Sequence, residues 1–140
     1  MEVNYSLLVF LRGASRNSKK FLLVNFTKQR AGPVVANYCV YMLRCKDGSL
    51  YTGITTDVSR RMREHLSGQA PGARYTRVHV PEELVALWRT EGRPAASRLE
   101  YRIKRLPAAE KRRLVENPHL VSQLEGLAGE DDYLPVLCRM

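Results

Sequence analysis

The sequence predicts an α+β domain: a small three-stranded antiparallel sheet with helices packed on it, in the order β-β-α-β-α-α. The turn dipeptide Asp47-Gly48 separates two runs rich in aromatic and β-branched residues, 38–44 and 50–54, as in a β-hairpin. A helical pattern follows this hairpin, and a third apolar run is followed by two more helical patterns. The chain has 140 residues, 44% of them hydrophobic, which suits one domain with tails.

The first helix has a signal at each end. Thr56 or Asp57 can cap it by accepting hydrogen bonds from its first free N–H groups. Gly68 stands where a glycine closes many helices. The apolar face of the helix has a spacing of four residues: Val58, Met62 and Leu66.

The second half of the domain predicts a loop, a strand and two helices. Residues 69–81 are expected to form a Gly/Pro loop, and residues 84–89 a third strand. Pro94 suits the first position of the next helix, and Pro107 ends it. The inward face of that helix is Leu99, Ile103 and Leu106. A third helix is expected over residues 108–116, before an Asn-Pro dipeptide.

Charge divides the chain, whose formal net charge is +9, into three parts. Residues 1–36 carry six basic residues and one acidic, residues 37–118 sixteen and nine, and residues 119–140 one and four. We interpret them as a basic, weakly ordered N-terminal extension, a folded domain and an acidic, solvated C-terminal tail. The positive excess favours phosphate-rich polymers or anionic membrane surfaces as partners.

Composition excludes several classes of protein and site. The longest apolar runs, near residues 7–11 and 21–24, are far shorter than the roughly 20 residues needed to span a bilayer. Three scattered cysteines argue against a disulfide framework and for a reducing compartment, so we expect a cytoplasmic protein. The cysteines and histidines lack the spacing of zinc ligands, and the sequence has no Gly-rich phosphate loop.

Two strand tyrosines and a glycine are the first candidates for a functional site. Tyr41 and Tyr51 stand on the two strands of the hairpin. Gly53 shares a face with Tyr51, because alternate residues of a strand point the same way. Gly53 leaves room there for a backbone or a ligand to come close. Packing in the core is the alternative role for each tyrosine.

The first two helices carry the charged candidates. Arg61 and His65 are four residues apart and lie on one face, beside the apolar stripe. An arginine there can bind a phosphate through two nitrogens, and a histidine exchanges a proton near neutral pH. Glu100, four residues before Lys104, is a candidate Mg²⁺ ligand, since this ion takes few protein carboxylates. The alternative for all of them is a solvated face with ordinary ion pairs.

In order and spacing these residues resemble the GIY-YIG nuclease superfamily, most of all its small stand-alone bacterial type. The resemblance rests on Cys39-Val40-Tyr41, Tyr51-Thr52-Gly53, Arg61 with His65, and Glu100, and it covers about residues 37–118. The first triplet keeps only the family's tyrosine, and the second keeps its tyrosine and glycine. A lysine that some relatives place shortly after the second glycine is replaced by the run Ile54-Thr55-Thr56.

This resemblance implies a metal-dependent endonuclease that hydrolyses phosphodiester bonds in DNA, with low sequence specificity or on a particular DNA structure. By position, Glu100 would hold Mg²⁺ or Mn²⁺, Arg61 would offset charge on the phosphate, and His65 would assist proton transfer. Tyr41 or Tyr51 would orient or deprotonate the attacking water, and the sequence does not choose between them. RNA stays open as a second substrate class.

The expected DNA contacts lie in the loop and on the second helix. Backbone phosphates would meet Arg74, Thr76, Arg77, Lys104 and Arg105, with Gly53 as a point of close approach. Two alternatives stay open: a nucleic-acid-binding module that has lost efficient catalysis, and a protein-interaction module whose basic face is incidental. Salt-dependent DNA affinity separates the last from the other two.

Overall fold

The structure of the protein, a computed structural model, describes residues 4–10, 21–27, 36–68, 74–127, 129 and 131–136. The elements follow in the order β1 (Asn4–Phe10), β2 (Phe21–Thr27), β3 (Asn37–Cys45), β4 (Leu50–Thr55), α1 (Val58–Leu66), α2 (Arg74–Val78), β5 (Pro81–Glu91), α3 (Arg93–Arg105), α4 (Ala108–Glu116), a 3-10 helix (Pro118–Gln123) and β6 (Leu134–Pro135). Of the helices in this part of the chain, none has the length and apolar character to cross a membrane.

An antiparallel sheet in the order β4-β3-β5-β6 forms the centre of the domain. The predicted α+β class and antiparallel sheet are confirmed, but the prediction of three strands is wrong. The fourth strand, β6, pairs with β5 at the edge opposite β4. It is two residues long and contains a proline, so neither alternation nor β-propensity marks it in the sequence.

The β3–β4 hairpin closes through the predicted turn. The Gly48 N–H donates to the Cys45 carbonyl and the Cys45 N–H to the Ser49 carbonyl, each at 2.9 Å. Gly48 has φ +81°, which glycine adopts without strain. The resulting register places Tyr41 directly opposite Gly53.

The two faces of the sheet bury different side chains, because successive residues of β3 point to opposite faces. On one face β3, β5 and α3 share an apolar cluster that includes Val40, Met42, Trp88, Leu99 and Ile103. On the other face β3 and α1 share a second cluster that includes Cys39, Tyr41, Leu43, Val58 and Met62. Helices α1 and α3 therefore lie on opposite faces of the sheet.

Asp57 is the residue that caps α1. Its carboxylate accepts a hydrogen bond from the Arg60 N–H at 2.9 Å. At the other end Gly68 has φ +71°, as predicted for a closing glycine, and donates its N–H to the His65 carbonyl. Both ends of the helix are therefore set by local sequence.

The predicted apolar stripe of α1 is only partly correct. Val58 and Met62 are buried, but Leu66 is 41% exposed and His65 takes the inward place instead. An imidazole is tolerated in the interior when both ring nitrogens have hydrogen-bond partners, and His65 has them.

The second half of the domain follows the prediction except at one segment. Helix α3 has Pro94 in its first turn and ends at Leu106, and α4 has the expected bounds. Residues 74–78, expected to lie in a loop, form the short helix α2. The first-turn proline and the Pro107 break are strong local signals, whereas a helix of five residues has almost none.

The C-terminal segment packs on the apolar face, which differs from the expectation of a solvated tail. Val121 is buried within the apolar cluster, and the partly buried side chains of Leu120, Leu124, Leu127 and Tyr133 pack against that cluster. The Trp88 indole N–H donates to the Pro118 carbonyl at 2.9 Å. Burial of this apolar surface against Trp88 outweighs the solvation of the acidic residues nearby.

The N-terminal segment contains the antiparallel pair β1 and β2, which forms a separate two-stranded sheet. The expectation of a basic, weakly ordered N-terminal extension over residues 1–36 stays a prediction, and residues 1–3, 11–20 and 28–35 lie outside the described residues. The strands include the two apolar runs noted in the sequence, whose β-branched and aromatic residues suit a strand. The domain boundary at residue 37 stays a prediction.

Candidate active site

The hydroxyl of Tyr41 lies at the centre of a buried polar cluster. The Tyr41 side chain is 0% exposed, and its hydroxyl lies 2.9 Å from Nε2 of His65. The Arg61 Nε–H donates to the same hydroxyl at 3.2 Å. Burial raises the pKa of Tyr41 and nearby Tyr51 raises it further, against the opposing effect of Arg61. Tyr41 is therefore a neutral phenol at neutral pH.

Gly53 provides the space for the Tyr41 ring. A Cβ atom at Gly53 would lie 2.5 Å from the Tyr41 hydroxyl oxygen and 2.6 Å from Cζ. These separations are too short for carbon and oxygen atoms that are not bonded. The open space predicted over Gly53 is present, but a side chain of the protein itself fills it.

His65 joins Tyr41 to Thr76. The His65 side chain is 3% exposed, and its Nδ1 lies 3.1 Å from the Thr76 hydroxyl. Burial, and then the charge of Arg61, lower the pKa of His65 to about 4, against an opposing effect of Glu64. The imidazole is therefore neutral at pH 7, with one donor and one acceptor nitrogen for its two hydroxyl partners.

Arg61 is held between Tyr41 and Glu64. Its Nη1 donates to the Glu64 carboxylate at 2.9 Å, and the Arg61 side chain is only 16% exposed. Burial opposes the charge on Arg61, but the hydrogen bonds to Glu64 and Tyr41 raise its pKa above the usual value. The same Arg61 hydrogen bond is the main reason that the pKa of Glu64 is lowered. A fixed cation therefore stands beside the phenol.

Tyr51 lies at the rim of the cluster and is partly exposed. Its ring centroid is 6.1 Å from that of Tyr41 and 5.2 Å from that of His65. Tyr51 also stacks with Tyr75, and the two ring centroids are 6.0 Å apart. Of the two candidate tyrosines, Tyr51 is the one that solvent reaches.

Glu100 lies on α3, across the sheet from α1. Its carboxylate forms the ion pair predicted as one alternative, with the Lys104 Nζ at 2.7 Å. Helical geometry places Arg98 and Glu100 on opposite flanks of the buried stripe of α3. Arg98 binds Asp131, close to β6. The Glu100 flank therefore faces the other edge of the sheet, formed by β4, which also carries Tyr51.

Glu100 is the carboxylate predicted to hold a divalent cation. Within the described ranges, no group of three His, Cys, Asp or Glu side chains is placed to hold a metal ion. Mg²⁺ binds through one or two protein carboxylates and keeps water and phosphate oxygens at its other positions. Glu100 is partly exposed, and one such carboxylate is enough for a site of that kind.

The residues predicted to contact DNA separate into two regions. Arg74 and Arg77 are exposed on α2, next to the Tyr41 cluster, whereas Lys104 and Arg105 are exposed on α3, on the other side of the sheet. Thr76 differs from the prediction, because its side chain is buried and hydrogen-bonded inside the cluster. Its position suits orienting an imidazole rather than meeting a phosphate.

The segment that contains these residues matches a known family. A family model described as the GIY-YIG catalytic domain matches residues 37–113. The chain belongs to the GIY-YIG family. The match covers Tyr41, Tyr51, Arg61, His65 and Glu100 together.

Relatives of this GIY-YIG domain include several UPF0213 proteins. One from Halalkalibacterium halodurans is 51% identical over 79 residues, which are 56% of this chain and 82% of that protein. Another, from Natronomonas pharaonis, is 48% identical over 82 residues, 59% of this chain and 94% of that protein. A solution NMR structure of the UPF0213 protein from Bacillus halodurans matches with 43% identity and a TM-score of 0.39, over 66% of this chain and 99% of that one.

Three further residues of this GIY-YIG domain border the cluster: Glu64, Tyr75 and His79. Glu64 follows Arg61 by three residues, a spacing that predicts an ion pair on a helix. Tyr75 and His79 are four residues apart, which predicts one face of a helix. Their Gly/Pro-rich surroundings conceal that helix in the sequence.

Proposed function

We propose that the protein is a divalent-metal-dependent endonuclease that hydrolyses phosphodiester bonds in DNA in the cytoplasm. The observation that carries the proposal is the buried Tyr41 hydroxyl, bonded to both Arg61 and His65. A tyrosine that only packs in a core needs one hydrogen-bond partner, and a cation with an imidazole is a more costly arrangement. Such groups are placed together in active sites to move a proton and to bind an anion.

We assign the attacking water to Tyr51 and the relay of its proton to Tyr41. Tyr41 is out of reach of solvent, whereas Tyr51 is partly exposed and its ring centroid lies 6.1 Å from that of Tyr41. Because the Arg61 Nε–H can only donate, the Tyr41 oxygen accepts that bond and its own proton points to His65. A neutral His65 accepts this hydrogen bond at Nε2 and donates its Nδ1–H to the Thr76 hydroxyl.

Arg61 offsets the negative charge that builds on the phosphate in the transition state. The Tyr41 contact holds its Nε in place, and Glu64 occupies Nη1 in the free protein. A guanidinium has five N–H donors in a planar fork that fits a phosphate. The phosphate replaces Glu64 as the partner of Nη1 when DNA binds.

Glu100 would hold the cation, which would polarise the phosphate and stabilise the leaving 3′-oxygen. Lys104, which pairs with Glu100, would then contact the DNA backbone. The four exposed cations on the two sides of the sheet then contact phosphates without reading sequence: Arg74, Arg77, Lys104 and Arg105. DNA therefore crosses the β4 edge.

The test is cleavage of labelled duplex, branched and single-stranded DNA, and of RNA, in Mg²⁺ or Mn²⁺. Glu100→Gln is expected to lose at least about a hundredfold in cleavage rate and to weaken Mn²⁺ binding measured by electron paramagnetic resonance. Glu110→Gln is the matched control, because Glu110 is an exposed carboxylate on α4 that pairs with Arg113. Unchanged cleavage by Glu100→Gln contradicts the assigned site.

A binding module with weak or lost catalysis is the second candidate. Ile54-Thr55-Thr56 stands where some relatives have a lysine, and the pKa of Tyr41 is raised, so this tyrosine resists deprotonation. Salt-dependent DNA affinity without cleavage of any substrate in the panel would favour this candidate.

A further inference from the structure

A row of three nearly parallel rings leads from the Tyr41 cluster to the surface. The Tyr51 and Tyr75 centroids are 6.0 Å apart with 23° between the ring planes, and the Tyr75 and His79 centroids are 4.1 Å apart with 19° between them. At its inner end, Tyr51 meets His65 edge-on, at 65°. At its outer end, Tyr75 is 40% exposed and the His79 side chain 32% exposed.

The outer end of this row is fixed by the hairpin turn. The His79 imidazole pairs with the Asp47 carboxylate, which also accepts hydrogen bonds from the N–H and hydroxyl of Ser49. The hydrogen bonds from Ser49, and then that from His79, lower the pKa of Asp47 to about 2. Close by, the Lys46 N–H donates to the Val80 carbonyl at 2.9 Å. The His79 ring is therefore held in one orientation while part of it faces solvent.

Packing alone does not explain exposed rings held in this way. Aromatic side chains that stabilise a core bury their faces, whereas Tyr75 is 40% exposed and the His79 side chain is 32% exposed. Two exposed guanidinium groups, Arg74 and Arg77, lie on the same helix as Tyr75. Flat rings beside cations are the arrangement with which proteins bind a nucleobase that has left its own stack.

We propose that the outer two rings of this row, His79 with Tyr75 behind it, form a stacking surface for one nucleobase next to the scissile phosphate. This inference rests on the proposed function, since Tyr51 is both the water-orienting residue and the inner end of the row. A base must be unpaired to stack there, so the surface favours DNA in which a base is already unstacked. Extruding a paired base costs pairing and stacking energy and therefore lowers the affinity for intact duplex.

The experiment measures binding and base stacking without cleavage, in EDTA, with DNA that carries the fluorescent base 2-aminopurine. One arm places this base as a single-nucleotide bulge in a duplex, the second pairs it, and the third places it in a single strand. Stacking on an aromatic ring quenches its fluorescence. We expect quenching and tighter binding in the bulge arm relative to the paired arm. Comparison with the third arm separates an extruded base from a general preference for single strands.

Variants of the row assign the effect to its residues. Tyr75→Ala and His79→Ala are expected to lose the quenching and to weaken binding of the bulged DNA by roughly five- to a hundredfold. Tyr75→Phe is expected to keep both, because it keeps the ring. Val78→Ala is the matched control, since Val78 is exposed on the same helix and is outside the row.

Quenching and affinity that are unchanged in Tyr75→Ala would overturn the stacking surface, and so would equal affinity for bulged and paired DNA. These results are distinguishable from failure of the proposed function. If metal-dependent cleavage is lost in Glu100→Gln but unchanged in Tyr75→Ala, the nuclease is supported and the stacking surface is contradicted. Conversely, quenching that is lost in Tyr75→Ala, in a protein that cleaves no substrate, supports the stacking surface and rules out the nuclease.

Discussion

Tyr41 covers Gly53 across the β3–β4 hairpin, and the two residues fit together only because residue 53 has no side chain. Gly53→Ala is therefore expected to displace the Tyr41 ring from His65 and Arg61. The free energy of unfolding should fall by about 1–3 kcal/mol, the usual cost of an overpacked core. DNA cleavage should be lost in the same variant. Urea denaturation and a nicking assay measure the two effects.

A second background tests whether the clash with Tyr41 is the cause. Leucine at position 41 lacks the Cζ and hydroxyl atoms that a Gly53 Cβ would meet. Gly53→Ala should therefore destabilise Tyr41→Leu less than it destabilises the wild type. An equal loss of stability in both backgrounds would point to a cause other than the Tyr41 ring.

The two tyrosines are expected to respond differently to removal of the hydroxyl. Tyr41→Phe removes the hydroxyl that bonds Nε of Arg61 and Nε2 of His65, and it should lower the free energy of unfolding by about 1–3 kcal/mol. Tyr51→Phe should change stability by less than about 1 kcal/mol but slow cleavage roughly a hundredfold, because Tyr51 is the residue proposed to orient the water. Thermal unfolding and single-turnover cleavage give both values for each variant. The opposite pattern would assign the orientation of the water to Tyr41 and the larger contribution to stability to Tyr51.

Neighbouring arginines on α1 provide a matched comparison for Arg61, the residue proposed to bind the phosphate. Arg61 is mostly buried beside Tyr41, whereas the Arg60 side chain is 56% exposed, and both pair with Glu64. Arg61→Lys should lower the cleavage rate by roughly a hundredfold or more, because a lysine cannot keep the Tyr41 contact and bind a phosphate with a planar fork. Arg60→Lys should stay within about twofold of wild type. Equal effects at both positions would show that only general positive charge is needed.

His65 should make stability depend on pH. Its pKa is about 4 in the folded protein against 6.5 ordinarily, so the unfolded chain binds more protons between these values. The stability contributed by neutral His65 is full above about pH 6.5 and is lost as the pH falls towards 4. Over that range, the wild type should lose roughly 2–3 kcal/mol more than His65→Gln.

Urea midpoints at about pH 7 and about pH 4.5 measure this difference. His119→Gln is the control, since His119 is exposed on the 3-10 helix and should keep the pH dependence of the wild type. Parallel pH profiles for wild type and His65→Gln would mean that the buried imidazole takes up a proton without cost.

Local signals account for the parts of the fold that could be predicted. The Asp47-Gly48 turn, the Asp57 cap and the Pro107 break each act within a few residues, so the structure keeps the elements that they delimit. Strand β6 could not be predicted, because its pairing with β5 depends on where the chain returns after the Trp88–Pro118 contact. Such long-range contacts leave no periodicity in the sequence.

The candidate site, like the fold, could be predicted from the sequence only in part. Motif spacing and helical spacing were enough to select Tyr41, Arg61 and His65, which the structure brings into contact. The difference between the two tyrosines could not be predicted. It depends on strand order, since Tyr41 is on a central strand and Tyr51 on the edge strand. Thr76 lies on a helix too short to be marked in the sequence, so its contact with His65 was also hidden.

Strand β3 contributes side chains to both hydrophobic clusters, one on each face of the sheet, and the two clusters have different roles. Val40 and Met42 point to an apolar cluster, where the size of a side chain matters most. Tyr41, between them, points to the other cluster, where its hydroxyl bonds His65 and Arg61. Toward α3, hydrophobic residues of similar size should substitute for one another at modest cost, while at Tyr41 a substitution removes the hydroxyl that bonds His65 and Arg61. Alternate residues of one strand therefore differ in the substitutions that they tolerate.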